Sequence, residues 1–103
     1  MTNISDGSTE DIRLFKALAD PTRLHLVKIL LNGERCACEL PSMVGKAQPT
    51  VSLQLKKLVS YGCLSFRKDG VKVLYRITEP KIPRLIAVMG SDKSKHNRQR
   101  SKI

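Results

Sequence analysis

The feature that most constrains the fold is a continuous run from Arg35 to Ile77, in which two predicted helices precede a predicted β-hairpin. Glu39 to Val44 is predicted as a short helix, and Gly45 supplies the sharp turn of a helix-turn-helix. The next helix opens near Pro49, a residue that the first turn of a helix tolerates, and ends at Tyr61-Gly62. Its apolar face is formed at helical spacing by Val51, Leu55, Leu58 and Val59.

Two strands and a tight turn are predicted directly after this helix. Cys63 to Arg67 and Lys72 to Thr78 form the strands, and Asp69-Gly70 lies between them. Asp-Gly is a strong hairpin signal because the tight turn of a hairpin needs positive φ. A basic hairpin beside a helix-turn-helix predicts a winged helix-turn-helix, a fold that is mainly α with a small β-hairpin wing.

Further helices are predicted on both sides of this run. A first amphipathic helix starts at Glu10. A second is capped by Asp20-Pro21 and stopped by Asn32-Gly33. After the hairpin, Pro83 leads into a short apolar helix, Arg84 to Met89.

The chain is expected to form one domain, because 103 residues supply a single small core. We predict a flexible N-terminal arm at residues 1–9, a DNA-binding and dimerisation domain at 10–90 and a disordered basic tail at 91–103. The tail cations can add non-specific DNA affinity or simply be solvated; they are Lys93, Lys95, Arg98, Arg100 and Lys102.

The net charge of the chain limits the classes of partner that it is expected to bind. Nineteen Lys and Arg against nine Asp and Glu give a net charge of +10, which favours a polyanion, nucleic acid first and an anionic membrane surface second. No apolar run is long enough for a membrane span or a signal peptide, so we expect a cytoplasmic protein without a membrane partner. No phosphate-binding loop and no nucleophile–base constellation occurs, so an enzyme is not expected.

The exposed face of the second helix of the helix-turn-helix has the chemistry to read double-stranded DNA. Gln54 can pair with adenine through two hydrogen bonds, and Leu53 suits a thymine methyl group. An ordinary solvated helix face is the alternative, but the basic hairpin and the net charge favour DNA. The predicted contact residues on this helix are Gln48, Thr50, Ser52, Leu53, Gln54, Lys56 and Lys57.

The hairpin carries three cations near its tip, Arg67, Lys68 and Lys72. Such a wing can lie across a phosphate backbone or enter a minor groove. A charged loop that only keeps the protein soluble is the alternative. We predict that these three residues contact DNA.

Cys36 and Cys38 lie directly before the helix-turn-helix. On a strand, residues i and i+2 point the same way, so both sulfurs can meet one ion. Thiolates are soft ligands that suit cadmium, lead, copper(I) and zinc, and trivalent arsenic and antimony share this preference. Two small buried residues without a ligand are the alternative.

Cys63 is the only other thiol. It is a weak candidate for a third ligand, from the same or a partner chain, because a residue after a helix-ending glycine often packs on the helix. A thiol redox or persulfide switch is the nearest rival to metal sensing. A dithiol oxidoreductase is more distant, because the chain lacks Cys-x-x-Cys on a βαβ pattern.

Self-association is predicted from apolar residues that a single small domain covers poorly. The first and last helices supply them. The candidates for this dimer interface are Ile12, Phe15, Leu85, Ile86 and Met89.

Several of these stretches together resemble the arsenical-resistance repressor family of bacterial and archaeal winged-helix regulators, known as ArsR/SmtB. The matching segments are LFKALADPTRL at 14–24, CACEL at 36–40, QPTVS at 48–52 with LKKL at 55–58, and the hairpin at 62–77. They cover about residues 10–78, most of the expected domain. The combination is specific, although each segment alone is not.

The resemblance implies a homodimer that binds an inverted-repeat operator, represses transcription and leaves DNA when a metal or metalloid binds. It also implies that Cys36 and Cys38 ligate this inducer, with arsenite or antimonite first and cadmium, lead or zinc behind. No obligatory cofactor is expected. Pro41 stands where arsenite sensors of the family often have a third cysteine, and Ala47 replaces a serine that usually precedes Gln-Pro. The alternative within the same fold is a winged-helix protein that binds DNA without any ligand.

Overall fold

The computed structural model describes residues 6–89, which form five helices and a three-stranded sheet. The predicted winged helix-turn-helix is confirmed: the helices Leu40–Val44 and Gln48–Ser60 form the helix-turn-helix, and the strands Leu64–Asp69 and Lys72–Ile77 form the wing. Residues 1–5 of the predicted arm and the predicted tail at 91–103 lie outside the described residues. In chain order, the elements are α1 (Asp6–Leu18), α2 (Pro21–Leu30), β1 (Arg35–Cys36), α3 (Leu40–Val44), α4 (Gln48–Ser60), β2 (Leu64–Asp69), β3 (Lys72–Ile77) and α5 (residues 81–89).

Both terminal helices begin earlier than predicted. Residues 6–9, expected in the arm, belong to α1, and the Asp, Ser and Thr types found there are also those favoured at helix starts. α5 begins at residue 81 rather than at Arg84. Pro83 does not delay it, because a proline is tolerated in the first turn, where its nitrogen has no helical bond to lose.

The start of α2 follows the predicted cap. The backbone N–H of Arg23 donates to the Asp20 carboxylate at 3.0 Å, and Pro21 is the first helical residue. At the start of α4, Ala47 makes no side-chain cap, since alanine has no acceptor to offer.

The end of α4 is a complete Schellman motif. The N–H of Cys63 donates to the carbonyl of Leu58, and the N–H of Gly62 donates to that of Val59, each at 2.9 Å. Gly62 has a φ of 81°, which residues with a Cβ rarely adopt. This motif turns the chain from α4 directly into the sheet.

The hairpin turn lies one residue further along than predicted. Asp69 pairs with Lys72, so the two-residue loop is Gly70-Val71 rather than Asp69-Gly70. Gly70 has a φ of 66°, and no non-glycine residue described has positive φ. A type II′ turn has this pattern, because it needs positive φ only at its first central residue.

The core lies between the helices and one side of the sheet. Burying each leucine side chain contributes about 1.5–3 kcal/mol, and this apolar contact fixes α4 against α2. The outer face of α4 is thereby turned towards solvent. The largest fully buried side chains are Leu26, Val27, Leu40, Val51, Leu55, Leu58, Cys63 and Ile82.

No helix within residues 6–89 is long and apolar enough to cross a membrane.

Candidate DNA interface and cysteine pair

The outer face of α4 presents most of the residues predicted to contact DNA. Leu53 is 51% exposed although it is apolar, and Ser52 is half-buried. An exposed helix face of this kind fits a major groove, where polar side chains reach base edges and lysines reach phosphates. The other exposed members of the predicted set are Gln48, Thr50, Lys56 and Lys57.

Gln54 differs from the rest of this set. It is half-buried, and its Oε1 accepts a hydrogen bond of 2.9 Å from Nη1 of Arg23. A two-bond contact with adenine uses the same oxygen. The structure therefore places Gln54 against α2, at the edge of the outward face rather than at its centre.

The wing tip is basic and open to solvent. Lys68 and Lys72 are exposed, and Val71, in the two-residue loop of the hairpin, is 100% exposed. Two cations beside an uncovered tip suit a phosphate backbone or a narrow groove. Lys68 and Lys72 lie beside the hairpin loop, at the wing tip predicted from the sequence.

Arg67, the third predicted cation of the wing, is already paired. Its Nε and Nη2 each donate a 2.9 Å hydrogen bond to the carboxylate of Glu34. These hydrogen bonds, helped by the charges of Arg67 and Arg76, lower the pKa of Glu34 below its ordinary value. A phosphate that approaches Arg67 must therefore compete with a carboxylate.

Cys36 and Cys38 are brought together by a turn rather than by a shared strand. β1 ends at Cys36, and the N–H of Glu39 donates to the Cys36 carbonyl at 3.0 Å. The two Cα atoms are 5.2 Å apart and the sulfurs are paired as a disulfide. Cys36 is 5% exposed, whereas Cys38 is open to solvent. The strand thus ends before Cys38, and the turn that follows it brings the two sulfurs together.

The pair joins the sheet of the wing to the helix-turn-helix. On one side, Cys36 lies opposite Leu74 of β3, and the N–H of Ala37 donates to the carbonyl of Val73 at 2.8 Å. On the other side, α3 begins at Leu40, two residues after Cys38. A change at the sulfurs thus acts at the junction of the two elements predicted to hold DNA.

Cys63 does not join this pair within one chain. It is fully buried in the core, and its carbonyl accepts from the N–H of Thr78. Cys36 lies opposite Leu74, four residues back along β3, which is about 13 Å at the rise of a strand. Within residues 6–89, no group of three or more His, Cys, Asp or Glu residues is arranged to hold a metal. Burial raises the pKa of the Cys63 thiol.

An apolar face lies on α1 and α5. Phe15 is 59% exposed, and together with Leu85, Val88 and Met89 it borders two clefts between these helices. We call these four residues the α1–α5 face. Ile12, also exposed, lies one turn before Phe15 on α1.

One residue of the predicted dimer interface is misplaced. Ile86 is only 4% exposed and belongs to the core of its own chain. Its neighbour one turn earlier, Ile82, is also buried, so both lie on the inward side of α5. Val88, which was not among the predicted residues, is exposed on the same helix.

Arg23 and Glu34 contact residues of the candidate interface, and neither contact was predicted from the sequence. Their partners Gln54 and Arg67 lie 31 and 33 residues away along the chain. Helical and strand periodicity report only neighbours a few residues apart. No local spacing could therefore reveal either contact.

Comparison with known proteins identifies the family. Residues 20–64 match the bacterial regulatory protein arsR family. A probable mercury resistance operon repressor of Streptomyces lividans is 45% identical over 74 residues, which cover 72% of this chain and 59% of that protein. The arsenical resistance operon repressor of Escherichia coli is 45% identical over 73 residues, covering 70% and 62%. The chain thus spans about three fifths of these two relatives.

Solved structures agree with this assignment. The transcriptional repressor BigR from Xylella fastidiosa superposes with a TM-score of 0.80 at 34% identity, covering 88% of this chain and 95% of that one. A homodimeric winged helix-turn-helix DNA-binding domain from Mycobacterium bovis superposes with a TM-score of 0.76 at 29% identity, covering 96% and 95%. The chain therefore belongs to the ArsR family, whose members are DNA-binding transcriptional regulators rather than enzymes.

Proposed function

We propose that this protein is a dimeric transcriptional repressor that binds an inverted-repeat operator and releases it when a thiophilic inducer binds Cys36 and Cys38. Arsenite or antimonite is the first choice of inducer, and cadmium, lead and zinc follow. The observation that carries the proposal is the position of the two paired sulfurs, one at the end of β1 and the other in the turn before α3. Any ligand that spans them acts on the wing and the helix-turn-helix together.

The chemistry of the pair favours a small trivalent centre. With arsenous acid, two thiol protons and two arsenic-bound hydroxyls leave as two molecules of water, and two As–S bonds replace two As–O bonds. Two adjacent sulfurs are enough for this step, whereas four-coordinate zinc needs two further ligands. The described residues offer no such ligands within one chain. The E. coli relative is an arsenical resistance repressor, which supports the same choice.

The dimer is proposed from the α1–α5 face. Exposed Phe15, Val88 and Met89 give this face an apolar character that a second copy of the chain can cover. The M. bovis domain of the same fold is homodimeric. Two copies related by a two-fold axis present two α4 helices to an inverted repeat.

DNA binding is tested by selecting binding sites from random-sequence DNA and footprinting the selected sequences. We expect a protected inverted repeat whose half-sites are about one helical turn, or a multiple of it, apart. Binding that is indifferent to sequence at physiological salt would instead support a ligand-independent architectural protein. Such a protein would keep a steep salt dependence with little specificity.

The inducer is tested by calorimetric titration of the fully reduced protein with arsenite. One arsenic per chain is expected. Cys36→Ser and Cys38→Ser should each abolish this binding, whereas Cys63→Ser, the matched control, should retain it. Binding that persists without Cys36 or Cys38 would contradict the assignment of the site.

A redox switch is the second candidate, and the pairing of the sulfurs as a disulfide favours it. In this version two thiols lose two protons and two electrons to a hydroperoxide, which is reduced to an alcohol and water, and one S–S bond forms. Thiol counting after hydroperoxide treatment separates the candidates. Loss of two thiols per chain at low oxidant, together with no arsenite binding, would replace the first proposal with this one.

A further inference from the structure

The guanidinium of Arg23 connects three helices. Its Nε donates to the carbonyl of Ala17 at 2.7 Å, and its Nη2 donates to that of Lys16 at 3.1 Å, both in the last turn of α1. Its Nη1 donates to Oε1 of Gln54 on α4 at 2.9 Å. Arg23 itself lies in the first turn of α2. We call this set of contacts the Arg23 bridge.

Arg23 supplies side-chain hydrogen bonds to the carbonyl groups at the end of α1. The last four carbonyls of a helix have no partner within it. Arg23 donates to two of those of α1, and one of the two, the Lys16 carbonyl, also accepts from the N–H of Ala19 at 3.3 Å. The same cation lies 5.5 Å from the centre of the Tyr61 ring, at the end of α4. A planar guanidinium with donors in fixed directions can serve carbonyls, an amide and a ring at once.

The bridge also fixes α4 against rotation. Apolar contacts from Val51, Leu55 and Leu58 hold the helix on the core, but such contacts are not directional. The hydrogen bond to Gln54 is directional and lies at the edge of the outward face. Stacking on Tyr61 adds a second point two turns further along.

We propose that Arg23 is the positioning residue of the DNA-reading helix, and that Gln54 serves DNA binding through Arg23 rather than by reading a base. This inference rests on the proposed function, because it takes α4 to be the helix that enters the major groove. It also links α4 to α1, which carries part of the α1–α5 face. The bridge therefore sets the position of α4 relative to the dimer contact, and with it the spacing of the two half-sites that the dimer accepts.

The test is a double-mutant cycle on operator affinity with Arg23→Lys, Gln54→Ala and both together. Lysine keeps the charge but lacks the planar fork. Each single variant is expected to lower affinity about tenfold, the size of one lost hydrogen bond, and the double variant no further. Arg13→Lys, the same change at an exposed position on α1, should leave affinity unchanged.

Operators with one base pair added between the half-sites give a readout that loss of stability alone does not move. The native protein should discriminate strongly against the added base pair, and Arg23→Lys and Gln54→Ala should discriminate less. Additive losses in the cycle, unchanged spacing discrimination, or a changed base preference at one operator position in Gln54→Ala would each overturn the proposal.

Amide NMR spectra of the DNA-free protein keep the inference separate from the proposed function. Arg23→Lys should shift the signals of α4 near Gln54 and Tyr61 as well as those at the end of α1. Shifts confined to α1 and α2 would overturn the bridge. If the bridge is seen here but the native protein binds no specific operator, the proposed function has failed and the DNA role of Arg23 fails with it. If Arg23→Lys does not fold, the proposal is decided by Gln54→Ala, through its discrimination of operator spacing and its amide NMR shifts.

Discussion

Glu34 holds Arg67 through two parallel hydrogen bonds of 2.9 Å, which join the segment before β1 to the outer strand of the wing. Glu34 lies two residues before Cys36, so the same short segment carries the cysteine pair and the carboxylate that occupies a wing cation. In the DNA-free protein, this pair reduces the positive charge that the wing offers.

Releasing Arg67 should therefore strengthen DNA binding. For Glu34→Gln, we expect operator affinity to rise about threefold to tenfold and the plot of log affinity against log salt to steepen by about one, because Arg67 gains a phosphate. Fluorescence anisotropy over a salt series measures both. Glu10→Gln, the same charge change on exposed α1, should show neither effect. Equal or weaker binding by Glu34→Gln would mean that the ion pair supports the wing instead.

The same pair predicts a pH dependence. Because hydrogen bonds from Arg67 lower the pKa of Glu34, the ion pair is fully present above the ordinary carboxyl pKa. It is lost as pH falls through the lowered value. Carboxyl NMR titration should give Glu34 a midpoint below that of an unpaired glutamate, and Arg67→Gln should return it to the ordinary range. A midpoint that Arg67→Gln does not move would contradict the pairing.

Leu53 should contribute to operator binding without contributing to stability. Its side chain is half exposed on the outward face of α4, so Leu53→Ala should lower operator affinity severalfold and leave thermal unfolding nearly unchanged. Leu55→Ala, two residues along and 1% exposed, should cost about 2–5 kcal/mol of unfolding free energy. A large loss of stability in Leu53→Ala, or full affinity, would remove Leu53 from the interface.

Phe15 tests the proposed dimer. A charge at the centre of the α1–α5 face cannot be buried without a partner, so Phe15→Glu should sediment as a monomer at micromolar concentration and bind operator poorly. Val71→Glu places the same charge on the fully exposed wing tip and should keep the mass of the unmodified protein. If Phe15→Glu remains a dimer, the interface lies elsewhere.

Cys63 should be the unreactive thiol. Burial raises its pKa, with a contribution from the charge of Glu79, so it stays protonated at neutral pH. In the reduced native protein, an alkylating reagent should modify exposed Cys38 first and Cys63 only after unfolding.

The raised pKa of Cys63 also affects stability. The contribution of the protonated thiol is present below its ordinary pKa and is lost as pH rises towards the raised value. Cys63→Ala should therefore flatten part of the alkaline decline in unfolding free energy. The rest of the decline should remain in this variant, because burial also raises the pKa of Tyr75. An identical decline in both proteins would be evidence against this prediction.

The sequence predicted what depends on local periodicity and turn chemistry. The helical spacing of Val51, Leu55 and Leu58 located α4, and Asp20-Pro21 located the start of α2. The turn at Gly70 was misplaced by one residue, because Asp-Gly and Gly-Val both supply a glycine and only the strand register chooses between them.

What the sequence did not predict depends on contacts between distant segments. The bridge from Arg23 to Gln54 and the ion pair from Glu34 to Arg67 form only after the helices and sheet have assembled. Ile86 looked like an interface residue because apolarity alone does not say whether a short helix turns a residue to its own core or to a partner.

The central claim is that ligand binding at Cys36 and Cys38 controls the affinity of the protein for operator DNA. Its most direct test is the anisotropy of labelled operator with fully reduced protein, before and after arsenite is added. We predict that arsenite releases the operator from the unmodified protein and from Cys63→Ser. Cys36→Ser and Cys38→Ser should bind the operator and keep it. Release by hydroperoxide alone would contradict arsenite sensing in favour of the redox switch. If neither agent releases DNA, the cysteine pair has only a structural role and the claim is wrong.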